Sequence, residues 1–340
     1  MADVGGPVRL QPLVRARVAT LGDEGRVWVE ALPALLDDLC RRWSLRLGRR
    51  LPGGSASYLT TVLRADGSEA VLKVALPEPE PVRVGQVAAA LATADGQGCV
   101  RLLEAEPRSG ALLLERLGPS LDRSGLTVEA QLDALAATLQ VTWRAPDRAP
   151  SDRARSLAVG IRTFHTQLPG STGTGVVEHA LACAAVLAVP DPADLVVVHG
   201  DPHPGNLLRV RHPRPGAETG WCFVDPDPFV AERAYDLGVA VRDFSSALLA
   251  EPETAVARAW SWCVRVAAAS GADPGRVWAW GFLERVSTGL YVTSFGAPRV
   301  GEPFLRSAAL LLEHEPSIRR ADLLGSPSVL PDVGTTPSVS

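Results

Sequence analysis

The segment Leu195-Val196-Val197-Val198-His199-Gly200-Asp201-Pro202-His203-Pro204-Gly205-Asn206 constrains this chain more than any other. Four consecutive apolar residues, three of them β-branched, predict a short buried strand. Pro202, Pro204 and Gly205 cannot continue it, so the polar residues that follow form a loop held at a strand end. Trp221-Cys222-Phe223-Val224 predicts a second short apolar strand that ends at Asp225. Two strand ends thus present Asp201, Asn206 and Asp225, oxygen-bearing groups of the kind that handle protons and hard cations.

Transfer of a phosphoryl group from ATP needs a carboxylate near the acceptor hydroxyl and oxygen ligands for Mg²⁺. An Asp, an Asn five residues later and an Asp on the next hairpin meet that need. In this pattern Asp201 accepts or orients the hydroxyl proton, Asn206 holds Mg²⁺ without adding negative charge beside the triphosphate, and Asp225 bridges the metal ions. Composition points the same way. Of 34 Lys and Arg residues all but Lys73 are Arg, and Asn206 is the sole Asn in the chain. Substitution that thorough leaves Lys and Asn where an ammonium and a carboxamide are needed, and Lys73 is a compact charge suited to clamp the α- and β-phosphates.

Apolar positions Val27, Val29, Leu32, Leu35, Leu36, Leu39 and Trp43 predict an amphipathic helix from Asp23 to Trp43, after a flexible start over residues 1–22. A strand hairpin follows, Tyr58–Leu63 and Ala70–Val74, with Lys73 on its second strand. A helix over Val82–Ala94 and strands near Val100–Leu103 and Ala111–Leu117 complete a strand-rich first part over residues 23–117. Gly118-Pro119-Ser120 marks a hinge to a helix-rich remainder over residues 118–325, which contains the His199–Asn206 loop. Helical periodicity there covers Val128–Leu139, Arg153–Gln167, Val177–Val189, Asp236–Leu249, Ala255–Ser270 and Arg276–Tyr291. Residues 326–340, rich in Ser, Pro and Thr, are expected to be a disordered tail.

A formal net charge of -4 and a pI near 5.9 provide no positive field for nucleic acid or an anionic membrane. The five Cys residues include no Cys-x-x-Cys spacing, which suits free thiols in a reducing cytoplasm. A basic stretch with an apolar core is missing from the first twelve residues, and no long apolar run occurs, so secretion and membrane spanning are not expected.

The His199–Asn206 segment and the later Val224-Asp225-Pro226-Asp227 resemble the catalytic loop and metal motif of the aminoglycoside phosphotransferase superfamily. Glu24-Gly25-Arg26-Val27-Trp28, Gly98-Cys99-Val100-Arg101-Leu102-Leu103 and Leu112-Leu113-Leu114-Glu115-Arg116-Leu117 narrow the likeness to its streptomycin 6-phosphotransferase and hydroxyurea phosphotransferase branch. The resemblance implies an α+β, two-lobed protein-kinase-like fold, with a nucleotide-binding lobe over residues 23–117, a helical lobe over residues 118–325 carrying the catalytic loop and acceptor site, ATP in the cleft and Mg²⁺ as cofactor. The implied acceptor is a hydroxyl of an aminoglycoside, cyclitol or amino sugar. By the same likeness Ser55 and its neighbours cover the phosphates, backbone groups from Glu115 to Leu117 hold adenine, and Asp236 braces the catalytic loop. Rival expectations are a kinase for a sugar or amino alcohol, and a degenerate module that binds nucleotide without catalysis.

Some residues depart from the pattern or have plainer roles. Kinases pair the strand Lys with a Glu on the next helix, yet Val82–Ala94 has no acid, and Glu78 and Glu80 precede it among prolines. Gly53-Gly54-Ser55-Ala56-Ser57 is not a GxGxxG loop. His199 suits packing beneath the loop better than chemistry, and Asp227 a turn before Pro228 better than a metal. Trp260, Trp262, Trp278 and Trp280 suit a core. Asp243, Glu251 and Glu284 could meet a cationic acceptor, but in sequence they look like solvated helix-face charges.

Overall fold

The computed structural model describes residues 10–51, 57–77 and 82–314. Its first third is built on an antiparallel sheet whose strands lie in the order β1 (Arg46–Arg50), β2 (Ser57–Leu63), β3 (Glu69–Ala75), β5 (Ala111–Glu115), β4 (Leu102–Glu106). Side chains alternate across it with period two. Ala70, Leu72 and Val74 of β3 and Ala111 and Leu113 of β5 pack with Leu32, Leu36 and Leu39 of helix α2 (Gly22–Arg42). The three leucines fall at i, i+4 and i+7, one stripe of the helix, and their burial contributes about 2 kcal/mol each. Val71, Leu112 and Leu114 face the other way, into the core shared with the helical part. Lys73 has the parity of Val71, so alternation alone sends its side chain to the face opposite α2, toward the helical lobe.

Two short antiparallel ribbons deliver the polar segments: β6 (Leu195–Val197) pairs with β9 (Val230–Glu232), and β7 (Leu207–Arg209) with β8 (Trp221–Phe223). The two apolar strands read from sequence are therefore not partners of each other. Around them pack α4 (Val128–Thr142), α5 (Arg153–Gln167), α6 (Thr174–Leu187), α7 (Arg233–Arg242), α9 (Ala255–Ser270), α10 (Pro274–Ser294) and α11 (Pro298–His314). Helix α10 is central, begun by Pro274 and the Asp273 side chain, which accepts the Arg276 N–H at 2.8 Å. It lies so close to α7 that a Cβ on Gly238 would come within 2.6 Å of the Trp280 Cβ. Trp262, Trp278 and Trp280 are core residues and Trp260 packs against them.

Several expectations change. The flexible start over residues 1–22 gives way, from Pro12 to Thr20, to helix α1; PLVRARVAT has no apolar stripe to announce it, and buried Val14 anchors it. The helix expected over Asp236–Leu249 is two, α7 and α8 (Ser245–Ala250). Buried Arg285 of α10 donates to the Val241 and Arg242 carbonyls (3.3 and 3.4 Å) and to Ser245 Oγ (3.2 Å), capping α7 from outside. Burial lowers the Arg285 guanidinium to about 10. The tail over residues 326–340 lies outside the described residues. Among those residues no helix is long and apolar enough to cross a membrane.

Candidate active site

Beyond β6 the chain turns sharply at Gly200, whose φ of +93° and nearness to Asp227 admit no side chain: a Cβ there would sit 2.0 Å from the Asp227 carbonyl oxygen. Asp236, at the start of α7 and fully buried, anchors this turn. Its carboxylate accepts the backbone N–H groups of His199 (2.8 Å) and Gly200 (2.9 Å) and the Trp143 indole N–H (2.8 Å). Burial pushes the Asp236 carboxyl up to about 6, against the pull of those three donors. The Asp227 N–H donates to the His199 carbonyl at 2.8 Å, placing Asp227 in the turn that follows β8. Downstream, His203 Nδ1 accepts the Gly205 N–H (3.1 Å) and caps a single 3₁₀ turn that ends at Asn206. Asn206 Nδ2 donates to the Asp201 carbonyl (3.0 Å), which leaves Oδ1, the amide's acceptor, for another group.

The Asp225 strand is tied to the same loop, since the Val224 N–H donates to the Asn206 carbonyl at 2.9 Å. Asp225 has φ +56°, a left-handed backbone that costs a non-glycine residue about 1–2 kcal/mol. The twist turns its carboxylate to Lys73, whose Nζ lies 2.5 Å from Asp225 Oδ1. Lys73 is centred in the sheet, opposite Leu59 on one side and Leu112 on the other. Its ammonium therefore reaches from the sheet to the second polar strand end, and among the described residues Asp225 is its ion-pair partner. Glu78 and Glu80 lie outside the described residues, as does Ser55.

Asp201 has partners that sequence does not announce. Buried Arg242, at the end of α7, donates from Nη2 to Asp201 Oδ1 (3.3 Å) and to Asp243 Oδ1 (2.9 Å), and from Nη1 to Thr288 Oγ1 (3.1 Å). Its Nη1 also lies 3.5 Å from Glu284 Oε2. Glu284 is itself buried and accepts the Tyr235 hydroxyl at 2.7 Å and Arg153 Nη2 at 3.2 Å. It is thus part of the core, not a solvated helix face, and Glu251 is an exposed partner of Arg258. Of the three acids only Asp243 adjoins the loop, 3.8 Å from His203 Nδ1. Burial raises the Asp201 carboxyl, but the electrostatic pull of neighbouring His203 and Arg242 outweighs it and holds the group below its ordinary value. His199 packs on Phe223 with ring centroids 4.6 Å apart, and its Nδ1 accepts the Asp201 N–H at 3.3 Å. Burial lowers the imidazole to about 4, so it is neutral at pH 7.

The Gly118-Pro119-Ser120 linker is hydrogen-bonded to β7. The Gly118 N–H donates to the Arg209 carbonyl (2.7 Å), and the Arg209 N–H to that of Pro119 (2.9 Å). Glu115 and Leu117 flank its entry, Leu117 buried and Glu115 with its carboxylate turned to Arg214. Among the described residues the backbone N–H groups of Arg116 and Leu117 have no backbone partner.

One ammonium, two Asp carboxylates and one amide oxygen thus gather where the sheet meets the helical lobe, an oxygen-rich donor set suited to a hard cation and polyphosphate. The chain matches the aminoglycoside/hydroxyurea antibiotic resistance kinases over residues 42–296. It is 34% identical over 239 residues to a streptomycin 6-kinase of Streptomyces glaucescens, covering 68% of this chain and 73% of that protein. Against a hydroxyurea phosphotransferase of Kitasatospora aureofaciens it is 33% identical over 235 residues, 66% of this chain and 65% of the relative. The fold is similar to that of a choline kinase from Cryptosporidium parvum, with TM-score 0.57, 10% identity, and 86% and 98% of the two chains covered. It is also similar to a macrolide 2'-phosphotransferase type I, with TM-score 0.52, 15% identity, and 80% and 96% covered. With its two-lobed kinase-like fold, the chain belongs to the aminoglycoside/hydroxyurea antibiotic resistance kinase family and is a small-molecule phosphotransferase.

Proposed function

We propose that the protein transfers the γ-phosphate of ATP to a hydroxyl of an aminocyclitol antibiotic such as streptomycin. The observation that carries this is the contact of Lys73 with Asp225, which joins the sheet to the loop bearing Asp201 and Asn206. Asp201 receives the proton of the attacking hydroxyl: half-exposed, it is open to an acceptor, and Arg242 fixes one of its oxygens. Lys73 neutralises phosphate charge when nucleotide enters, and backbone groups from Glu115 to Leu117 hold adenine. Asn206 Oδ1 and the Asp225 carboxylate are hard oxygen donors on connected backbone, and they would hold Mg²⁺. Bound there, Mg²⁺ supplies positive charge to the phosphates during transfer. Identity to streptomycin 6-kinases of Streptomyces supports the acceptor class.

A coupled ADP-release assay with ATP and Mg²⁺ against streptomycin, other aminocyclitols, hydroxyurea and common amino sugars tests this directly. Streptomycin-dependent release with a phosphorylated product in the NMR spectrum is the expected result. Release with a plain sugar or amino alcohol alone would keep the kinase and remove the antibiotic.

A further inference from the structure

We infer that Arg214, in the connection between β7 and β8, and Glu115, the last residue of β5, form a clamp that sets the linker backbone and hence the affinity for nucleotide. The inference rests on the proposal that backbone groups from Glu115 to Leu117 hold adenine. The contact is a two-pronged fork: Arg214 Nε donates to Glu115 Oε1 at 2.9 Å and Nη2 to Oε2 at 2.8 Å. The remaining guanidinium protons are also used. Nη1 donates to the Gly96 carbonyl (2.7 Å) and the Pro215 carbonyl (3.1 Å), and Nη2 to the Cys99 carbonyl (3.0 Å). The Arg214 side chain is only 8% exposed and its guanidinium is satisfied on every edge.

The geometry binds two neighbouring segments to a third that lies 99 residues beyond Glu115. Glu115 ends the sheet, Gly96–Cys99 joins α3 (Val82–Ala94) to β4, and Arg214 comes from the helical lobe. Glu115 Oε2 also accepts the Arg101 N–H (3.2 Å), and the Glu115 N–H donates to the Arg101 carbonyl (2.9 Å), so the strand end is held on both backbone and side chain. Gly98 reinforces the junction by donating to the Gly216 carbonyl at 2.6 Å and accepting from the Phe223 N–H at 2.8 Å. Among the described residues the N–H groups of Arg116 and Leu117, which follow Glu115, have no backbone partner. A clamp on the residue before them fixes where those donors point, and a ligand held by directional bonds gains affinity from donors already in place. The charge of Glu115 is spent on Arg214, so its carboxylate positions the linker and does not touch the nucleotide.

The test is calorimetric binding of Mg²⁺·ADP to the full chain and to Glu115→Gln, Arg214→Lys and the double variant, with melting temperatures and streptomycin KM measured alongside. Each single change is expected to weaken ADP about tenfold, the double variant no more than either single, with streptomycin KM unmoved. Arg214→Lys keeps the charge and loses the fork, so it guards against a variant that simply fails to fold. Unchanged ADP affinity in folded variants would overturn the clamp, as would ADP and streptomycin weakening together in step with lost melting temperature. If the unaltered protein binds no ADP, the nucleotide proposal beneath it falls instead.

Discussion

Lys73 and Asp225, 152 residues apart in sequence, meet with Nζ 2.5 Å from Oδ1. The pair is charged, mostly shielded on the lysine side, and built from a sheet centre and a strained turn. It explains why an ammonium persists in a chain that otherwise uses Arg: a guanidinium is planar and forked and cannot replace a point charge between Leu59 and Leu112.

Lys73→Arg is therefore expected to lower kcat/KM for ATP about a hundredfold although the formal charge is kept. Steady-state kinetics with varied ATP measure it. Wild-type turnover in the variant would show that charge alone is needed at this position.

Arg242 is expected to act through Asp201. Arg242→Ala should reduce kcat about a hundredfold with little change in KM for ATP, and added methylguanidinium should restore part of kcat. It should also cost about 3 kcal/mol of stability, because Glu284 and Asp243 lose a buried cation. Loss of stability with kcat intact in the folded fraction would make Arg242 purely structural.

Buried His199 couples folding to pH. Its folded value near 4 lies below the ordinary 6.5, so the unfolded chain binds the proton more readily. Stability from this group is present above pH 6.5 and is lost as pH falls toward 4, by about 3 kcal/mol in all. Asp236 opposes it: raised to about 6 from 3.8, it favours the folded state as pH falls through the same window. His199→Leu removes the first effect and keeps the second. Urea unfolding between pH 7 and 4.5 should show the variant less stable at pH 7 yet losing less on acidification than the wild type. Parallel pH profiles for the two proteins would contradict a neutral buried His199.

Much of this was legible from residue order, and the gaps have physical causes. Helices α2, α5 and α9 showed in their apolar spacing and α3 in the breakers on either side of it; Asp201, Asn206 and Asp225 stood out by their order and spacing, and Asp236 only through the family resemblance. Strand β1 was hidden because Arg46-Leu47-Gly48-Arg49-Arg50 is a mostly exposed edge with no alternating apolar residues. β7 and β9 are three residues each, too short for a period, and Pro303 inside α11 masked a helix that packs on α10. Arg242 and Arg214 were two among many arginines, and nothing local distinguishes a guanidinium that will be buried from one on the surface. Their partners at Asp201 and Glu115 are set by tertiary packing alone.

Streptomycin-dependent ADP release by Asp201→Asn, measured beside its Mg²⁺·ADP affinity, tests the central claim most directly. The variant should bind nucleotide like the wild type and turn over at least about a thousandfold more slowly, because the amide cannot take the hydroxyl proton. Turnover within a few fold of wild type, with ADP bound equally well, would contradict a proton-accepting role for Asp201.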